Sequence, residues 1–396
     1  MATLRFASGV SNSPSLEEAL ETVLSEIESG LGGESVDLAI VFITTPFADD
    51  CVEISRAVNG RLHPRCLIGC TGAGIIGSDQ EFEEQAALSV LAGSLPDAEL
   101  TPLYLQQDEI ETLMNGGRVP DILNVASTES SDFLLLPDPF SFNTQALLWF
   151  LDEHYPGSIN IGGLASAGFQ PGCNRLFLND QTYISGAVGV ALSGNIELVP
   201  IVSQGCRPIG KPVLVTDAHE NTIRSLAGQP ALELLQEMLE GSPEEDQELA
   251  QNALLIGTVI DEYKTDFDQG DFLIRNMIGG DPATGAISIN DYVTMGQTVQ
   301  FQVRDAESAQ EDLTCLLEGS GDQLRGRTPA AAAVFNCNGR GARLYGERNR
   351  DISMIHDAIG KVPSAGFFCA GEIGPIAGRS FIHGFTSSIG LFVPKE

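Results

Sequence analysis

Basic residues are scarce in this sequence. Twenty-one Lys+Arg face 54 Asp+Glu, a formal net charge of −33, and lysine occurs only at positions 211, 264, 361 and 395. A field of that sign repels phosphate backbones and anionic headgroups, so no nucleic acid is expected as a partner and no docking on anionic membranes. Its plain consequence is solubility. Long apolar runs are missing as well: none approaches the roughly 18 residues that span a bilayer, so no membrane insertion is expected. The N-terminal MATLRFASGVSNSPSLEE lacks the apolar core of a secretory signal. A cytoplasmic protein is the expectation.

Paired metal-ligand and nucleotide signatures are also absent. Cysteines at 51, 66, 70, 173, 206, 315, 337 and 369 form no C-x-x-C, and the five histidines form no H-E-x-x-H. This argues against a zinc site, a disulfide scaffold or any other metal. There is no G-x-x-x-x-G-K-[ST] and no G-x-S-x-G. GCTGAGIIG (69–77 within CLIGCTGAGIIG) has glycines but no following helix, a poor match to a dinucleotide loop. No cofactor is expected.

What is present is a recurring order of elements. The apolar stretch 37-DLAIVFITT-45 leads to a helical stretch near 49–62, Pro64 and 66-CLIGCTGAGIIG-77. Then 132-DFLLLPDPF-140 leads to 143-NTQALLWFLDEH-154, Pro156 and 159-INIGGLASAG-168. Finally 331-AAAVFNCNGRG-341 leads to 349-NRDISMIHDAIG-360, Pro363 and 366-GFFCAGEIGP-375. A further strand follows each: 86–93, 186–194 and 385–393. Apolar residues fall at helical spacing at Leu147, Leu148 and Leu151, and at Ile352, Ile355 and Ile359. A proline soon after each helix stops it, because it cannot continue the i→i−4 ladder. The fold class expected is α/β, with repeated strand-helix-strand units forming layered sheets and two modules in one chain. Between the second and third copies, residues 219–250 read as helical with a charged loop at 241–248, and strands are expected at 253–261, 271–289 and 298–305. GGDPATG inside the middle stretch signals a hairpin. The main boundary is placed near residue 220.

Glycines gather at the strand ends. Gly162, Gly163, Gly341 and Gly371 would let backbone N–H groups approach a ligand, or would simply permit tight packing. In open α/β sheets ligands bind beyond the carboxyl ends of the strands, where such turns gather. NCNGRG brings Cys337, Asn338 and Arg340 to one strand end, and a guanidinium there suits bidentate capture of a carboxylate; a salt bridge to one of the many acids is the alternative. Glu372 would take an ammonium group or form a structural pair. Cys70 with Thr71 and Cys369 end strands of the first and third copies, and His383 is the one histidine in a comparable setting.

The strings C-N-G-R-G, P-S-A-G-F-F-C-A-G-E-I-G-P and H-G-F-T-S-S-I-G-L-F resemble the C-terminal module of the FIST family (F-box and intracellular signal transduction proteins). DLAIVFITTPF, LIGCTGAGIIG, SQGCRPIG and VTDAHENTI are similar to its N-terminal module. The resemblance implies modules at 25–220 and 221–380, the second sheet completed by the strand at 385–393. It also implies a sensory role toward small ligands, with amino acids the proposed class, feeding a signalling system. No F-box-like helical segment precedes residue 25 and no output domain follows residue 380, so a separate signalling protein is the expected partner. Positions matching the family's C-terminal motif are Cys337, Gly339, Arg340, Gly341, Gly371, Glu372, Gly374 and Thr386. The reading is a two-module sensor of a small, zwitterionic metabolite. The alternatives are a cysteine-dependent enzyme using Cys337 or Cys369 with His383, and a scaffold whose glycines serve packing alone.

Overall fold

The computed structural model describes residues 3–125, 131–267 and 270–395. Its contacts divide the chain into two compact units. The first comprises Met1–Val202, Thr314–Ile382 and Ser387–Glu396; the second comprises Ser203–Leu313 and His383–Thr386.

The first unit uses one motif three times. The first repeat runs β1 (Arg5–Ser11), α1 (Leu16–Leu31), β2 (Leu38–Thr44), α2 (Cys51–Leu62), β3 (Cys66–Gly72), the hairpin β4 (Gly74–Gly77) and β5 (Gln80–Glu83), and β6 (Leu88–Ser94). The second runs β7 (Ala98–Leu105), α3 (Gln107–Met114), α4 (Val119–Leu123), β8 (Asp132–Pro137), α5 (Thr144–His154) and β9 (Asn160–Gly163). It ends with the hairpin β10 (Leu176–Leu178) and β11 (Gln181–Tyr183), then β12 (Ala187–Gly194). The third opens with β13 (Glu197–Gln204) and is interrupted by the second compact unit.

That inserted unit carries β14 (Cys206–Pro208), β15 (Val213–His219), β16 (Thr222–Leu226), β17 (Gln229–Pro230), α6 (Ala231–Glu240) and α7 (Glu244–Ala253). It continues with β18 (Leu254–Val259), β19 (Phe272–Asp281), β20 (Ala286–Ile289) and β21 (Thr298–Arg304). Because β21 pairs with β15 on one side and β18 on the other, β15, β16, β20, β19, β18 and β21 close into an antiparallel ring. Val215, Ile223, Ile256, Ile287 and Phe301 belong to its core. The third repeat then resumes with α8 (Ala306–Leu324), β22 (Ala331–Cys337), α9 (Ala342–Tyr345), α10 (Arg350–Ile359), β23 (Ser364–Cys369), β24 (Glu372–Ile376), β25 (Arg379–His383) and β26 (Thr386–Val393).

Each repeat contributes one parallel pair: β2 with β3, β8 with β9, β22 with β23. The hairpins are exchanged in a cycle. The first sheet has the order β1-β6-β2-β3-β10-β11, the second β7-β12-β8-β9-β24-β25, and the third β13-β26-β22-β23-β4-β5. Every sheet is thus completed by another repeat's hairpin. The same glycine recurs at the same register: Gly69 lies opposite Val41, Gly162 opposite Leu135 and Gly366 opposite Val334. An added Cβ would meet the partner's carbonyl oxygen at 2.0, 1.9 and 1.8 Å respectively, far inside contact distance. Each second strand therefore needs a residue with no side chain at that point. The sheets share a core in which Phe42 stacks on Phe367 (centroids 5.0 Å apart) and meets Phe335 edge-on at 6.3 Å.

Local chemistry explains the helices. Ser15 caps α1 by accepting the Glu18 N–H, Glu17 and Glu18 sit in the positive first turn, and Gly32 closes the helix in the left-handed region. Val23, Leu24, Ile27 and Leu31 form part of its buried face. The three helices read from sequence before Pro64, Pro156 and Pro363 are α2, α5 and α10, and GGDPATG turns β19 into β20. Residues 219–226, expected as helix, are instead the turn and second strand of a hairpin, and the loop expected at 241–248 becomes helix from Glu244, whose first turn carries Glu244, Glu245 and Asp246. Glu220 adopts φ 54°, His219 pairs with Thr222, and the Ile223 and Leu226 side chains go into the ring's core. The boundary expected near 220 consequently falls inside the inserted unit; the compact units divide at Val202/Ser203 and Leu313/Thr314.

Candidate functional site

The carboxyl ends of β3, β9 and β23 converge, and there they bind one another. The Ser166 hydroxyl accepts the Ala73 N–H at 2.9 Å and donates to the Phe368 carbonyl. Ser166 N–H reaches the Thr71 carbonyl at 3.1 Å, Leu164 N–H reaches Gly371 at 2.8 Å, and Ala370 N–H reaches Leu164 at 3.0 Å. Thr71 Oγ1 accepts the Arg175 N–H at 2.9 Å. A Cβ on Gly163 would lie 2.3 Å from the Cys369 sulfur, so Gly163 makes room for that thiol. Gly162, Gly163 and Gly371 are thus built into the junction between repeats.

Cys70, Cys337 and Cys369 sit toward the carboxyl ends of β3, β22 and β23. Cys70 and Cys369 are fully buried, and burial pushes both thiols well above their ordinary pKa; the nearby Glu372 charge pushes Cys369 further. A nucleophile must be a thiolate, so the enclosed Cys369 is poorly suited to the enzymatic alternative. Cys337 is half-buried, in register with Cys369, and its sulfur accepts the Gly339 N–H at 3.4 Å. Glu372 is fully buried opposite Gly163. His383 belongs to the inserted unit and is 3% exposed.

Arg340 lies inside the loop, behind the cavity wall. It is 1% exposed, and one edge of its guanidinium is held by Asp351: Nε to Oδ2 at 3.0 Å and Nη2 to Oδ1 at 2.7 Å. The Tyr345 hydroxyl and the Asn336 amide also donate to Asp351, at 2.8 and 2.9 Å. Arg340 therefore forms a buried salt bridge with Asp351, while its Nη1 is buried without a hydrogen-bond partner among the described residues. Glu81, on the hairpin that the first repeat lends to the third sheet, completes the cluster. It accepts the N–H groups of Asn349 at 2.9 Å and Ile352 at 3.0 Å, at the start of α10. Burial and then the Asp351 charge push the Glu81 carboxyl up to about 8, against the pull of those two N–H groups. The cluster pins the 338–349 loop to the borrowed hairpin.

Over that loop lies a cavity of about 540 Å³. Its polar wall is Glu83, Glu84, Asn338, Arg343 and Arg348; its remaining wall is Ala73, Gly74, Phe169, Ala342 and Phe368. Glu83 Oε1 accepts the Ala342 N–H at 2.9 Å. Gly341 takes φ 65°, and a Cβ there would meet Glu83 Oε1 at 2.6 Å and the Phe368 ring at 2.8 Å, so the loop closes down only with glycine at this point. Asn338 is anchored by its N–H to the Cys369 carbonyl at 3.0 Å, while its Oδ1 is buried without a hydrogen-bond partner among the described residues. Among the described residues, no group of three His, Cys, Asp or Glu is placed to hold a metal ion, and no helix is long and apolar enough to cross a membrane.

The FIST N domain matches residues 37–229 and the FIST C domain matches residues 231–375. The chain belongs to the FIST family. FIST domains are generally sensory, small-ligand-binding domains of signalling proteins. An uncharacterized protein of Mycobacterium tuberculosis (strain ATCC 25618 / H37Rv) is 41% identical over 390 residues, covering 98% of this chain and 100% of its own. Another from Mycobacterium bovis (strain ATCC BAA-935 / AF2122/97) is 39% identical, covering 98% and 99%. Among solved structures, a cyanuric acid hydrolase from A. caulinodans aligns over 100% of both chains with a TM-score of 0.36 and 6% identity. That likeness is too slight to bear on the activity of this FIST protein.

Of the positions singled out in the sequence, Asn338 lines the cavity and Gly341 shapes it, while Arg340 supports the loop from within. Glu81, Glu83, Asp351, Arg343, Arg348 and Phe169 were missed. One signal was available: RGARLYGERNR places Arg340, Arg343, Arg348 and Arg350 within one short stretch of a chain that has 21 basic residues in all.

Proposed function

We propose that this FIST protein is a cytoplasmic sensor whose ligand site is the cavity between the borrowed hairpin and the 338–348 loop. Its ligand is a small zwitterion of the amino-acid class, and its output passes through a separate signalling protein. One observation carries the reading. In a chain of net charge −33, Arg343 and Arg348 share a cavity wall, and neither has an ion-pair partner among the described residues. On the same wall Glu83, Glu84 and the unpartnered Asn338 Oδ1 offer acceptors. The arginines suit a carboxylate and the acceptors suit an ammonium group, so a ligand bearing both charges fits better than one bearing either. A cavity of this size lies within the ordinary range for small-metabolite sites.

The test is titration calorimetry of the full chain with a panel of L-amino acids, repeated on the double variant Arg343→Ala/Arg348→Ala. Both arginines are exposed, so the variant should melt as the parent does. It should bind at least about tenfold more weakly. Equal affinity in parent and variant would remove the cavity from consideration.

A further inference from the structure

The cavity has two aromatic walls of opposite character. Phe368, on β23, is 2% exposed, and its ring is clamped by Gly74 and Gly341, at each of which an added Cβ would approach it to 2.8 Å. It is a rigid floor. Phe169 lines the same cavity yet is 92% exposed. Its loop is not slack at the base: Ala167 N–H donates to Asn174 Oδ1 at 2.9 Å, and the Ala167 carbonyl accepts the Thr45 hydroxyl at 2.9 Å. Gly168 lies so close to Cys173 that a Cβ there would come within 2.5 Å of the Cys173 Cβ. The loop is thus tied on both sides of its tip and holds a phenyl ring in water beside a cavity whose inner face is another phenyl ring.

We infer that the ligand of this cavity is an amino acid with an aromatic side chain, its ring resting on Phe368 and covered by Phe169. The inference rests on the zwitterion reading above and adds to it the part of the ligand that the charged residues do not address. The carboxylate and ammonium groups are common to all amino acids, so Arg343, Arg348 and the acceptors select the class. The two rings select within it. Covering an aromatic side chain with a ring that is otherwise wet removes apolar surface from both partners, which a methyl side chain cannot match.

L-Phenylalanine and L-alanine are the probes, titrated calorimetrically into the full chain and into Phe169→Ala, whose melting temperature should equal the parent's. L-Phenylalanine is expected to bind at least about tenfold more tightly than L-alanine. Phe169→Ala should remove most of that ratio by weakening L-phenylalanine, leaving L-alanine within about twofold. If both amino acids bind the parent equally, or if Phe169→Ala preserves the ratio, the aromatic assignment is wrong while the zwitterion site stands. If neither binds, the zwitterion site and the aromatic assignment fall together.

Discussion

The first and third sheets of the repeated unit present the same corner in two states. The shared register makes Thr45 correspond to Asn338, Asp49 to Ala342, and Arg175 to Gly74. In the first sheet the corner is filled by its own side chains. Arg175 Nη1 donates to the carbonyls of Gly172 at 2.8 Å and Asn174 at 3.0 Å, its Nη2 lies 3.8 Å from Asp49 Oδ1, and the Thr45 hydroxyl is satisfied by Ala167. In the third sheet the residues at the cationic and anionic places are glycine and alanine, and the asparagine has an unused oxygen. One backbone can therefore hold a closed corner or a cavity, depending on whether a few positions carry long side chains. Gly74 has a second duty, since any Cβ there would strike Phe368.

The ion pairs of the two corners should differ most. Asp351→Ala strands the fully buried Arg340 without its partner and is expected to cost about 3–5 kcal/mol in denaturant unfolding. Arg175→Ala removes a pair whose aspartate is 99% exposed and should cost under about 1 kcal/mol. Comparable costs would erase the distinction between a structural hub and a surface contact.

The equivalence of the repeats is tested next. Gly69→Ala, Gly162→Ala and Gly366→Ala should each lose about 1–3 kcal/mol or more, because each Cβ meets a strand carbonyl. Gly60→Ala, in α2 with nothing within 4 Å, should gain up to about 1 kcal/mol. A harmless alanine at any one of the three strand positions would break the symmetry argued for them.

A smaller effect concerns pH. Glu81 sits in the third corner; the borrowed hairpin of the first sheet carries Thr182 at the corresponding place. With its folded pKa raised to about 8 from 4.5, Glu81 keeps its proton in the folded chain after the unfolded chain has released it. Its contribution therefore declines as pH rises from about 4.5 to about 8 and is flat above. Unfolding measured across that window should show the decline in the parent and a shallower slope in Glu81→Gln. Equal slopes would mean that the carboxyl ionises in the usual range. Smallest of all, a thiol reagent applied to the native protein should label the exposed Cys173 and Cys315 and spare Cys70 and Cys369.

Much of the repeated fold was legible because its signals are local: strands with few polar residues, helices with a spaced apolar face, and a proline after each. The cyclic exchange of hairpins was not legible, because β4 carries no mark of which sheet it will join; that depends on fits such as Ile76 opposite Gly366, distant in sequence. The interruption of the third repeat was hidden because the whole inserted ring separates β13 from β22 along the sequence. At the candidate site, NCNGRG marks the loop that carries Asn338 on the cavity wall, with Arg340 held behind it by Asp351. Sequence shows that a guanidinium has many acids to choose from; only the fold brings Asp351 to Arg340 and leaves Arg343 and Arg348 facing the cavity. Phe169 gave no signal, since its place on the cavity wall comes from a loop of another repeat.

The most direct measurement is a crystal structure of the full chain grown with saturating L-phenylalanine. The expected result is the amino acid in the cavity, its carboxylate at Arg343 and Arg348, its ammonium at Glu83 and Asn338, and its ring against Phe368. An empty cavity, or the ligand bound at Arg340 and Glu372 or in the inserted unit, would contradict the account.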